Sequence, residues 1–87
     1  MKTTEDKIEQ LRKICKVLLN FSKHFNNVLV GQDKDFVIVR WYSPKVNKTG
    51  KYHEFDEKEI PVSDIDNALT HYSGRLRYEL NKRNDGK

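Results

Sequence analysis

Eighty-seven residues, 17 Lys plus Arg against 13 Asp plus Glu, give a net charge of +4 and room for one domain only. Apolar residues fall in periodic blocks, which sets the chain apart from a disordered one, and none of the blocks approaches the ~18–20 residues of a membrane span. A single cysteine, Cys15, excludes an internal disulfide, and with no signal-peptide core after Met1 the expected setting is cytoplasmic.

Thr3 or Thr4 can cap a first helix, with Glu5 and Asp6 in its first turn. Apolar positions then recur at Ile8, Leu11, Ile14/Cys15, Leu18, Phe21 and Phe25, with Val17 and Leu19 widening the stripe. This spacing predicts about five helical turns, stopping at Asn26-Asn27. Val28 to Gly31 reads as a short strand, followed by a polar turn at Gln32–Asp35.

From Phe36 to Tyr42 every residue except Arg40 is β-branched or aromatic, the composition of a central strand. Pro44 is expected to end it, with a loop to Gly50 and a third strand from Lys51 to Phe55. The acidic run Glu54 to Glu59 then reads as a connection. Ser63, with Asp66 three residues on, is expected to cap a second helix carrying Ile65, Ala68/Leu69, Tyr72, Leu76 and Leu80 on one face. Gly74 within it marks a kink, a close packing point or a break, and residues 84–87 read as a frayed tail.

The order is α-β-β-β-α. It predicts one α+β domain over residues 1–87, a three-stranded antiparallel meander with two helices packed on one face. Trial registers pair Tyr42 with Tyr52, Trp41 with His53, Arg40 with Glu54 and Val39 with Phe55, and on the other side Val30 with Val37 across a turn at Asp33-Lys34. One face then collects Val28, Val30, Val37, Val39, Trp41 and Phe55 as core. The other collects Leu29, Phe36, Ile38, Arg40, Tyr42, Tyr52 and Glu54.

Three uses of that second face follow from its chemistry. Arg40, Tyr42 and Tyr52, beside a loop bearing Lys45, Lys48 and Lys51 and with Arg75 and Arg77 of the second helix, could stack bases and hold phosphates. Leu29, Phe36 and Ile38, or the edge Glu54, Asp56, Glu57 and Glu59, could instead engage a protein. The same residues also make an ordinary cross-strand aromatic pair and ion pair. A homodimer through a sheet edge or helix one is a further reading.

His24, His53 and His71 are far apart in sequence and in no metal-ligand spacing with Cys15, and no Ser stands in a nucleophile elbow. His53 is expected beside Trp41 on the core side. The reading is therefore a small binding module, not an enzyme, with no metal or cofactor. Its partner is expected to be a nucleic acid or a nucleic-acid-handling protein, with no role for a membrane.

The element order resembles that of the double-stranded-RNA-binding domain. That family has a Gly-Pro-x-His segment between strands and a Lys-Lys-x-Ala-Lys run opening its last helix. Here the second helix opens with Ser63, Asp64, Ile65 and Asp66, so the resemblance assigns no residue. In size, charge density and lack of a catalytic motif the chain is also similar to small accessory proteins of phages and mobile elements, including anti-CRISPR proteins. That likeness would imply an inhibitor or adaptor acting on a host protein.

Overall fold

A computed structural model describes residues 3–85, and the side chains of residues 3–82. The chain runs α1 (Thr4–Leu19), β1 (Asn27–Asp33), β2 (Phe36–Val46), β3 (His53–Pro61), a 3-10 turn (Val62–Asp64) and α2 (Ile65–Asp85). The sheet is an antiparallel meander in the order β1-β2-β3. This is the expected α+β fold, with α1 packed on both α2 and β1. Of the expected tail, residues 86 and 87 lie outside the described part.

Thr3 caps α1 through a reciprocal pair of bonds. Its Oγ1 accepts from the Asp6 N–H, and its own N–H donates to the Asp6 carboxylate. Ile8, Leu11, Cys15 and Leu18 point inward at helical spacing. The helix stops at Leu19, nearly two turns short of the predicted end at Asn26-Asn27. Ser22 explains the difference: its Oγ accepts from the His24 and Phe25 N–H groups, bonds that compete with helical ones. Phe25 is thereby turned onto Trp41, ring centroids 6.1 Å apart.

Lys7 bridges to Asp66, and Cys15 lies beside Arg75 and Tyr72, so the two helices run side by side in the same direction. α2 is continuous through Gly74, where a Cβ would meet nothing within 4 Å, so neither a break nor a close packing point exists there. The 3-10 turn stands where Ser63 was expected to open the helix.

Both predicted registers are displaced. β1 pairs with β2 two residues away from expectation, Val30 opposite Val39, and the two-residue turn is Lys34-Asp35. An even slip preserves faces, so Val28, Val30, Val37 and Val39 are all buried as expected. β3 pairs with β2 three residues away from expectation: Tyr42 faces Phe55, Arg40 faces Glu57 and Val37 faces Ile60. An odd slip reverses faces. Phe55, expected in the core, stands on the open face, while Ile60 takes an inner position and is buried.

The cause is an irregular stretch between Tyr42 and Val46, which holds Pro44 inside β2 instead of beyond its end. Pro is tolerated at such bulges because a ladder bond is already missing there. The acidic run expected as a connection is therefore strand β3 itself, and His53 sits opposite Val46 near the hairpin tip, away from Trp41.

Among the described residues the core is one cluster of twelve buried side chains, with Leu11, Val37, Val39 and Cys15 the most enclosed. Burial pushes the Cys15 thiol up from 9.0 to about 11, with Arg75 opposing. The folded state thus keeps a proton that the unfolded chain releases near pH 9.0, so stability is complete below that value and falls as pH rises towards about 11. Urea midpoints measured from pH 7 to 11 should show this fall, and Cys15→Ala should flatten it. An unchanged slope in the variant would assign the loss elsewhere, first to Tyr72, whose hydroxyl burial also pushes up.

Lys34 opens the β1–β2 turn at φ 55°, in the left-handed region. A side chain costs ~1–2 kcal/mol there, and Gly gives back ~0.5–1 kcal/mol in unfolded-chain entropy. Lys34→Gly should therefore stabilise the fold by roughly 0.5 kcal/mol in urea titration, and a destabilisation would contradict the turn geometry.

Candidate functional site

The molecule is a slab, with extents of 45 × 44 × 14 Å between Cα atoms. Both helices lie on one side, so among the described residues nothing covers the other sheet face. Four cross-strand rows make it up: Asn27-Tyr42-Phe55, Leu29-Arg40-Glu57, Gly31-Ile38-Glu59 and Asp33-Phe36-Pro61. Leu29 is 56% exposed, Phe55 47% and Phe36 41%, unusually open for large apolar side chains that stand together.

Arg40 is the centre of this face. Its guanidinium carbon lies 4.5 Å from the Phe55 ring centroid, its Nη1 donates to the Tyr42 hydroxyl at 3.1 Å, and its Nε donates to Glu57 Oε1 at 2.8 Å. Nη2 donates to the same carboxylate oxygen, so two guanidinium donors converge on Oε1 in a charge-assisted pair. The bonds to Tyr42 and then Glu57 raise the guanidinium pKa above its ordinary value. The expected Arg40–Glu54 pair is thus Arg40–Glu57, and the stacking partner of Tyr42 is Phe55 instead of Tyr52, at 5.8 Å. With Asp33, Glu57 and Glu59 against Arg40 alone, the face has a local charge of about −2.

The lysines lie elsewhere. Lys45, Lys48 and Lys51 are exposed around the β2–β3 tip and have no ion-pair partner among the described residues, with Tyr52 68% exposed beside them. The tip is ordered by Asn47. Its Oδ1 accepts from the Thr49 hydroxyl at 2.8 Å and the Lys51 N–H at 3.2 Å, and its carbonyl accepts from the Gly50 N–H at 2.9 Å. Gly50 takes φ 74°, a conformation that favours glycine.

Arg75 lines a cleft of about 570 Å³ on the helical side, between α2, the α1–β1 connection and Trp41. A second cleft, about 730 Å³, reaches the hairpin and holds Lys45 and Tyr52, and the two share Lys23, His24, Phe25 and Asp56. Acids stand between these basic groups: Asp56, Glu57 and Glu79 line the first cleft and Glu54 and Asp56 the second. Arg77 is exposed and lines neither. His24 lines both clefts, with His71 in the first and His53 in the second, but among the described residues no three His, Cys, Asp or Glu are grouped to hold a metal ion. No helix among them is long and apolar enough to cross a membrane.

Three participants had no signal in the sequence reading. The trial register places Phe55 in the core, and nothing in the sequence singles out Asn47 or Arg12. Arg12 in fact leaves α1 to donate from Nε and Nη2 to the Val30 carbonyl, at 3.2 and 2.8 Å. No protein-family model, curated protein or solved structure matches the chain.

Proposed function

We propose that this protein is a non-catalytic, protein-binding module that docks through the bare sheet face. The observation that supports it is the state of Arg40: its charge is already met by Glu57, its donors by Glu57 and Tyr42, and its plane by Phe55. A face whose single cation is satisfied, and which adds three carboxylates to exposed Leu29, Phe36 and Phe55, repels phosphate and suits an apolar protein surface rimmed by bases. An inhibitor or adaptor acting on another protein is the role that follows, and a nucleic-acid-handling protein, being basic, has the right charge.

The test is affinity capture with the wild-type chain, Ile38→Asp and a Lys45/Lys48/Lys51→Gln triple variant. Loss of a specific partner with Ile38→Asp alone supports the reading. Loss with the triple variant alone refutes it.

A second reading rests on the hairpin tip, where three unpaired lysines and an exposed tyrosine stand on an ordered turn. This tip would grip a nucleic-acid backbone. Light scattering with short DNA and RNA pools at two salt concentrations tests it, since phosphate contacts must weaken steeply with salt.

A further inference from the structure

The two edges of the sheet are treated differently. On β1, the outward Val30 carbonyl is occupied by Arg12, and the Val28 N–H is met by Asn27 Oδ1 at 2.9 Å. On β3, the Val62 N–H donates to the Asp35 carbonyl at 2.8 Å, which fixes the phase of the ladder. Residues 56, 58 and 60 therefore bond β2, and the N–H and C=O groups of Phe55, Glu57 and Glu59 point away from the sheet. Among the described residues no side chain bonds them. The edge is long, regular along seven paired residues and, among the described residues, bonded to nothing on its outer side.

We infer that β3 accepts an extended, basic segment of a partner protein as a fourth strand. The inference rests on the protein-binding reading and names the chemistry of the partner. Backbone bonding to Phe55, Glu57 and Glu59 supplies the attachment. The side chains beside the new strand choose its sequence. On the open face it would run next to Phe55, Glu57 and Glu59, and on the helical face next to Glu54, Asp56 and Lys58. Residues alternating Lys or Arg with β-branched side chains match that edge, because cross-strand neighbours of opposite charge attract. A second copy does not match it: two β3 strands would set four acids against four, with only Lys58 and His53 to offset them.

The probe is the capped peptide Thr-Lys-Val-Lys-Val-Lys-Thr, titrated to 1 mM against the full chain while backbone amides are followed by NMR and hydrogen exchange. The expected result is saturable binding that slows exchange at Phe55, Glu57 and Glu59 by at least tenfold and leaves β1 unchanged. N-methylation of alternate peptide amides should weaken it at least tenfold, as should replacing the three lysines by Glu. Absence of saturable binding, protection at β1, or indifference to N-methylation would each overturn the inference. A dimer mass without peptide, with the same three amides protected, would also overturn it by giving the edge to a second copy. Leu29→Asp, on the far strand, separates the two readings. It should leave peptide addition intact while abolishing partner capture if the sheet face docks, so either reading can fail without the other.

Discussion

Leu11→Ala should cost about 3 kcal/mol, within the range of ~2.7–5 kcal/mol found for fully buried leucines. Leu11 is 0% exposed, in the cluster with Val37, Val39 and Cys15. A cavity there has few ways to collapse, because two of its neighbours stand on the central strand, held by ladders on both sides. A domain of this length carries ~4–13 kcal/mol in all, so the loss is a large fraction of the total. At ~4–8 °C per kcal/mol the melting temperature should fall by roughly 12–24 °C. Val17→Ala is the control on the same helix. Val17 is 41% exposed, and its loss should stay within ~0.5 kcal/mol. Calorimetry of both variants decides the matter. A Leu11→Ala melting point within a few degrees of wild type would mean that the helix does not pack on the sheet as described.

Ile38→Asp should abolish partner binding, with a loss of at least about 30-fold, the equivalent of the ~2 kcal/mol that defines a hot spot. Ile38 stands in mid-face, in a row between Gly31 and Glu59, and its same-face neighbours along the strand are Phe36 and Arg40. Docking would bury the new carboxylate beside Glu59, with the neighbouring Arg40 already engaged by Glu57, an uncompensated like-charge contact. The fold should survive, because the side chain points away from the helices and Ile38 is outside the core cluster. Circular dichroism and the melting curve check the fold, and titration calorimetry against the captured partner checks the affinity. Salt separates the mechanisms. An apolar contact changes little between low and moderate salt, whereas a phosphate contact loses orders of magnitude. Unchanged affinity in Ile38→Asp would remove the sheet face from the interface.

Much of the fold was legible because its signals are local. Ile8, Leu11, Cys15 and Leu18 recur at helical spacing, and Val28/Val30 and Val37/Val39 recur at strand spacing, so each element declares its own inner face. The bare face was legible in part for the same reason: Leu29, Phe36, Ile38, Arg40 and Tyr42 are where alternation places them. The mixed charge of the cleft around Arg75 was not, since it depends on which strand passes under α2.

The sequence by itself thus determined the order of elements, the inward face of α1, β1 and β2, and the presence of an uncovered aromatic face. Periodicity within one segment suffices for these. Only the tertiary structure decided the register of β3, and with it that Phe55 joins Arg40 outside, that Ile60 enters the core and that the acidic run is an edge strand. Side-chain alternation has a period of two and fixes parity along one strand, but the offset between two strands depends on the residues absorbed between Tyr42 and Val46. An odd offset exchanges the faces, and the packing of Ile60 under the helices, against Phe55 over Arg40, selects it.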